Sequence, residues 1–305
     1  MNTEIVFDRL IKALGQEKVL KNEPMCNHTT FKVGGNASLF VIPSCEDDVV
    51  SCINIVKELG IDFFVLGNGS NILVSDKGYN GVVIYMGKNM SDIFVDGKMI
   101  VAGSGALLSK VASVALSNSL SGFEFASGIP GSIGGAVYMN AGAYGGSMSD
   151  VVVKTRYVDN DGNIKEISGN NHEFSYRHSV FVNGGIILST QIKLNDGNKE
   201  EIMEEMTRLN KQRKEKQPLE YPSAGSTFKR PEGYFAGKLI EDSNLSGFSV
   251  GGAQVSSKHC GFVINKDNAT CEDILTLISH IQKVVFEKYG VKLSPEIKLL
   301  GGDFK

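Results

Sequence analysis

The stretch from Ser127 to Gly146 constrains this chain more than any other. It holds seven glycines in twenty residues and no charge, yet it also carries Ile129, Ile133, Val137, Met139, Tyr138 and Tyr144. A solvent-exposed linker has no use for such apolar side chains. A plain core helix does not tolerate so much glycine, at roughly 1 kcal/mol each against alanine. The composition suits backbone that another group approaches closely. Pro130, Gly131 and Ser132 lead into small residues and read as a helix start, where free N–H groups form an anion site without a basic side chain. Two expectations stand side by side: a cradle for the pyrophosphate of a cofactor, or a small-residue packing seam.

A second glycine loop narrows the choice. Gly67-Asn68-Gly69-Ser70-Asn71 lies between the apolar runs Phe63–Leu66 and Ile72–Val74. Asn and Gly turn a chain tightly and leave N–H groups pointing outward. The loop lacks the third glycine of the dinucleotide fingerprint, and no Gly-Lys-Ser/Thr closes a phosphate loop anywhere. The chain thus has two anion-cradling candidates outside the common nucleotide motifs.

The 305 residues suggest two or three domains. A net charge of −3 implies no general affinity for nucleic acid or anionic lipid. An anionic ligand therefore needs a local cluster. No apolar run is long enough to span a membrane. Met1-Asn2-Thr3-Glu4 has neither the basic region nor the apolar core of a signal peptide, so a cytoplasmic protein is expected. Cys26, Cys45, Cys52, Cys260 and Cys271 are odd in number and scattered, which argues for free thiols over a disulfide framework or zinc site. The histidines show no metal spacing, and no metal is expected.

Along the chain, the apolar spacing of Ile5, Val6, Leu10, Ile11 and Leu14 predicts an amphipathic helix closed by Gly15. Ser38–Pro43, a helix over Asp47–Leu59, and Phe63–Leu66 predict a β-α-β unit that delivers the Gly67–Asn71 loop at a strand's C-terminal end. Hairpins are expected around Asp96-Gly97 and Asp161-Gly162. A helix over Glu200–Lys216 carries Glu residues early and Arg208, Lys211, Arg213, Lys214 and Lys216 late, an order that suits the helix dipole. Residues to about 195 read as one two-lobed α+β unit. After Pro222 a compact unit with a long helix over Glu272–Tyr289 follows. The expected division is 1–88 and 89–200 as two lobes and 201–305 as a smaller domain.

Leu66–Asn71, Gly128–Gly135 and Met139–Gly145 together closely resemble the UDP-N-acetylenolpyruvoylglucosamine reductases (UDP-N-acetylmuramate dehydrogenases) of bacterial wall synthesis. The resemblance runs from about Asn27 to near the C-terminus. It implies an α+β fold: a two-lobed FAD-binding part of the vanillyl-alcohol-oxidase type, followed by a smaller substrate-binding domain. It implies non-covalent FAD held by Gly67, Asn68, Gly69, Ser70 and Asn71 and by Ile129, Pro130, Gly131, Ser132, Gly134 and Gly135. It implies NADPH as reductant and UDP-N-acetylglucosamine enolpyruvate as substrate, with Asn140, Arg213 and Lys216 as substrate contacts. Hydride reaches the enolpyruvyl double bond by way of FAD, and Ser226 supplies the proton. Arg177 and Glu296 complete the implied active site, and a monomer is expected.

Taken alone, these three residues are bland. Ser226, after Gly225, reads as a turn or N-cap residue; Arg177, in Tyr176-Arg177-His178, reads as a structural ion pair or stacking residue; Glu296 reads as a strand-edge acid. Only a hairpin-sized stretch and one helix separate Arg177 from Ser226. That spacing departs from longer family members, which carry an extra insert and a tyrosine-bearing loop there, and it matches a short second type. Two rivals remain in view. One is a flavin oxidase of the same fold, which a histidine in the glycine stretches would favour, and none is present. The other is a non-catalytic nucleotide-binding module, which a colourless protein would favour.

Overall fold

The structure is a computed structural model that describes residues 3–302. The chain forms two compact units. The first takes the chain up to Lys21, Leu39–Asn68 and Gly81–Arg213; the second takes Asn22–Ser38, Gly69–Asn80 and everything from Lys214. The units are therefore interleaved in sequence and do not follow boundaries at 88 and 200. Most of the helix expected to open the last domain belongs to the first unit. The reason is that short segments near residues 30 and 73 bury their apolar side chains with the C-terminal part of the chain.

Seven α-helices lie among the described residues: α1 Thr3–Leu14, α2 Glu46–Glu58, α3 Leu108–Ser117, α4 Ile133–Tyr138, α5 Lys199–Lys216, α6 Ala236–Asp242 and α7 Cys271–Tyr289. The first unit has two cores. In one, α1 buries Val6, Leu10 and Leu14, spaced four apart on one helical face, with Val49, Ile53 and Val56 of α2. Their sheet has the order Val19–Pro24, Asn36–Val41, Tyr79–Tyr85, Phe63–Leu66, and the last two strands run parallel. Glu46, Asp47 and Asp48 open α2 and complement its dipole.

The other core sits on a five-stranded antiparallel sheet ordered Ile164–Ser168, Val152–Val158, Ile186–Lys193, Met99–Gly103, Ile93–Asp96. Helices α3 and α4 bury Val111, Ala115, Ile133 and Val137 in it. Both expected hairpins are present, with Asp96 paired to Met99 and Val158 to Ile164.

The second unit is organised by α7, which buries Ile274, Leu277, Ile278, Ile281 and Val285. Thr270 and Asp273 form a capping box at its start, and Gly290 at φ +68° ends it. Phe31, Val33 and Leu73 lie in the same core. Ile72–Val74 pairs in parallel with Lys298–Leu300, and a three-stranded sheet runs Ser249–Val250, Ala253–Val255, Val263–Asn265. No helix of the described residues is long and apolar enough to cross a membrane.

Candidate active site

In the first unit the central glycine stretch is laced to Gly103-Ser104-Gly105. Ile133 N donates to Ala106 O at 2.8 Å, Gly134 N to Ser104 O at 2.9 Å and Leu108 N to Gly131 O at 3.0 Å. Two of the three donors that open α4 are thus already satisfied. The expected anion site of free helix N–H groups is corrected to that extent, because neighbouring backbone reached those donors first. Gly135 N is the first-turn donor left without an acceptor among the described residues. The glycines are demanded by space: a Cβ on Gly134 lies 2.9 Å from Ser104 Cβ, and one on Gly105 lies 2.0 Å from Gly87 O.

Two hydroxyls in this seam are left without a partner. Ser132 Oγ and Ser104 Oγ are buried and make no hydrogen bond. An unpaired buried hydroxyl costs about 1–3 kcal/mol, so native structures rarely keep one without a use. Ser132 also stands at the N-cap of α4 without bonding the helix. A Cβ on Gly67 lies 2.5 Å from Ser132 Oγ and 4.0 Å from Gly135 N, so the Gly67 end of the second glycine loop closes on the same spot. Asn68 Nδ2 donates to Pro130 O at 2.7 Å and fastens that loop to the central stretch. The Asn68 N–H reaches no acceptor among the described residues. Free amides, two orphaned hydroxyls and bare glycine backbone without a carboxylate fit a pyrophosphate. Ser104 escaped the sequence reading, although the Gly-Ser-Gly run around it carried the signal.

Arg177 lies in the first unit on a two-residue turn. Ser175 and His178 exchange both backbone hydrogen bonds, at 3.1 and 3.2 Å, and Arg177 sits at φ +55°, unusual for a non-glycine residue. Its guanidinium lies over the Tyr176 ring, 5.1 Å from the centroid. The turn is tied to the central stretch on both flanks: Asn140 Nδ2 donates to Ser175 O at 3.1 Å, and Ser179 Oγ donates to Tyr138 O at 2.7 Å. Asn140 also accepts from Ser149 N at 2.9 Å and is only 8% exposed. Both ends of its amide are thereby engaged in the framework of this turn.

His172, five residues before Arg177, bonds Gly169 O and Thr155 Oγ1, both at 2.9 Å. Burial lowers its pKa, partly opposed by the Gly169 hydrogen bond. It stacks on Phe174 at 4.9 Å.

Ser226 and Glu296 lie in the second unit. Ser226 is exposed, between buried Ala224 and Thr227, after Gly225 at φ +75°. One short antiparallel pairing holds both backbones: Glu296 N donates to Thr227 O at 2.8 Å, and Lys229 N donates to Ser294 O at 2.9 Å. Thr227 N donates to Gly261 O at 2.9 Å, and Gly261 N donates to His259 Nδ1 at 3.1 Å. Asn71 Nδ2 donates to Glu296 O at 3.2 Å. A Cβ on Gly69 lies 2.0 Å from His28 O, and Thr30 N donates to Gly69 O at 3.2 Å, so this half of the glycine loop serves the second unit.

Arg213 on α5 packs against the central stretch; a Cβ on Gly128 lies 3.2 Å from Arg213 Cδ. Burial lowers its pKa, opposed by Tyr144, and among the described residues no carboxylate pairs with it. Lys216, the last residue of α5, is exposed. Burial pushes the Cys52 and Cys271 thiols up to about 12, which makes both poor nucleophiles at neutral pH. Among the described residues no cluster of three or more His, Cys, Asp or Glu is placed to hold a metal.

The α+β fold, of the vanillyl-alcohol-oxidase type, and the FAD-binding family it matches class the chain among the flavoproteins. Residues 37–168 match the family described as an FAD binding domain. Residues 217–300 match the family described as the C-terminal domain of UDP-N-acetylenolpyruvoylglucosamine reductase. The UDP-N-acetylenolpyruvoylglucosamine reductase of Caldanaerobacter subterraneus subsp. tengcongensis is 53% identical over 299 residues, covering 98% of this chain and 99% of that one. The same-named protein of Clostridioides difficile is 48% identical over 304 residues, covering 99% and 100%. The crystal structure of UDP-N-acetylenolpyruvylglucosamine reductase from Thermus caldophilus superposes with a TM-score of 0.81 at 32% identity, over 93% of this chain and 98% of that one. This chain belongs to the UDP-N-acetylenolpyruvoylglucosamine reductase family. The glucose oxidase variant of Phl p 4, at 17% identity and a TM-score of 0.51 over 64% of this chain and 44% of that one, shares the fold alone.

Proposed function

We propose that this chain reduces UDP-N-acetylglucosamine enolpyruvate to UDP-N-acetylmuramate with NADPH, a step in making the bacterial peptidoglycan precursor. The full-length family membership supports the activity. One observation carries the cofactor: the orphaned Ser132 and Ser104 hydroxyls beside Gly67 and Gly135. Gly67, Asn68, Gly69, Ser70 and Asn71, with Ile129, Pro130, Gly131, Ser132, Gly134 and Gly135, would hold FAD. When bound, FAD supplies the two-electron transfer between NADPH and the enolpyruvyl double bond.

The chain's own residues then manage charge and proton. Ser226 Oγ, exposed on its glycine turn, gives its proton to the carbon beside the substrate carboxylate. Arg177, always charged and fork-shaped, balances the enolate-like charge that precedes this transfer. Glu296 joins them through the family resemblance. Arg213 and Lys216 are assigned to the substrate diphosphate; a desolvated guanidinium without a carboxylate suits an anionic ligand. The protein acts in the cytoplasm as a monomer.

The test is direct. Denaturing the purified protein should release FAD in about equal amount to the chain. FMN, which has no pyrophosphate, or no flavin at all, defeats the cradle. Ser132→Ala should leave the apoprotein as stable or more so, yet weaken FAD binding about tenfold to 100-fold. That range matches a hydrogen bond to a charged group, about 1.5–3 kcal/mol.

A further inference from the structure

We propose that Asn140 is the positioning residue for Arg177, holding its turn in register with the central glycine stretch. The inference rests on the reading above that Arg177 serves the enolpyruvyl half of the reaction. Three observations carry it. First, Asn140 is buried and its amide bridges two backbones: Oδ1 accepts from Ser149 N at 2.9 Å, and Nδ2 donates to Ser175 O at 3.1 Å. Second, Ser175 is the residue whose paired hydrogen bonds with His178 close the turn around Tyr176 and Arg177. Third, Ser179 on the other flank donates to Tyr138 O at 2.7 Å, so the turn is tied at both ends to residues 138–140. Arg177 at φ +55° cannot hold this shape by local preference, since a side chain in the left-handed region costs about 1–2 kcal/mol. The turn is an imposed conformation, and the Asn140 amide is its side-chain clamp. Asn140 is itself at φ +44°, a conformation asparagine accepts more readily than most residues.

Asn140→Asp keeps the acceptor for Ser149 N and sets an oxygen against Ser175 O, breaking one arm of the bridge. In the FAD-loaded enzyme, stopped-flow absorbance should show flavin reduction by NADPH within about twofold of the parent. Flavin reoxidation by the enolpyruvyl substrate should slow about tenfold to 100-fold, the cost of small misplacements. In an Arg177→Ala background the same substitution should add no further slowing, because the residue it places is gone. Trypsin should cut the Arg177–His178 bond faster in Asn140→Asp than in the parent. Slowing of both half-reactions alike, slowing that persists without Arg177, or unchanged cleavage overturns the proposal. If Arg177→Ala alone leaves reoxidation unchanged, the role of Arg177 falls, and the trypsin rate alone decides whether Asn140 holds the turn. Should Asn140→Asp fail to fold, Asn140→Gly removes the amide without straining the backbone, and the same outcomes apply.

Discussion

The turns that present Arg177 and Ser226 solve one problem in opposite ways. Each offers a polar side chain from a tight bend that contains a residue in the left-handed region. In the Ser226 turn that residue is Gly225 at φ +75°, with open space where its Cβ would be. The strain is met by the chain's own choice of glycine, and backbone pairing through Thr227 and Glu296 does the fastening. In the Arg177 turn the left-handed residue is the functional side chain itself, so glycine is not available. Fastening passes to the side chain of Asn140, which comes from a distant segment, and to that of Ser179, which reaches Tyr138 from the turn's own flank. A turn built on glycine can be specified locally. A turn whose active residue bears the strain needs tertiary ties. A histidine whose pKa burial lowers also lies near each in sequence or bonding: His172 five residues before Arg177, and His259 accepting from Gly261, whose carbonyl accepts from Thr227.

The largest expected effect separates what the two turns deliver. Ser226→Ala should slow reoxidation by the enolpyruvyl substrate by at least about 10²–10⁴-fold, the usual worth of general acid help. Flavin reduction by NADPH should stay near normal. Arg177→Ala should slow the same half-reaction about 10²–10³-fold, as expected for one lost charge-stabilising group. Stopped-flow traces of both half-reactions decide; equal slowing of both by Ser226→Ala would make that residue structural.

A smaller effect tests the glycine solution. Gly225→Ala adds a methyl into open space, so its cost is conformational alone, about 1–2 kcal/mol. Thermal melting should fall by a few degrees. No change in melting would mean that the Ser226 turn relaxes freely, and the contrast with the Arg177 turn would fade.

The smallest effect concerns the two histidines. Burial lowers both pKa values from the ordinary 6.5. Well above 6.5 neither folded nor unfolded chain protonates them, and their contribution to stability is full. As pH falls from 6.5 through the lowered folded values, the unfolded chain takes up protons that the fold refuses, so stability declines. Melting from pH 8 to 5.5 should show this decline, and His172→Gln should remove part of it. An unchanged slope in that variant would mean that His172 is protonated in place.

Much of this was legible along the chain. The periodic helices α1, α2, α5 and α7 fell within a few residues of their expected spans, because hydrophobic spacing and caps are local properties. The glycine stretches were legible as close-approach backbone. The use of their donors was not, since Ala106 and Ser104 accept from Ile133 and Gly134 only after two distant segments pair. Asn140 reads from sequence as a substrate contact; its amide is engaged by Ser149 and Ser175, nine and thirty-five residues away.

The sequence by itself determined which segments are helix and strand, where backbone must stay bare, and which family the chain resembles. Those are matters of side-chain period, glycine and motif, each contained within a few neighbouring residues. The tertiary structure alone decided which hydroxyls are left unpaired, which amide becomes a clamp, and which short segments share a core with the C-terminal part. Hydrogen-bond satisfaction and burial are properties of groups brought together across the chain, and they exist only once every competing partner has been placed.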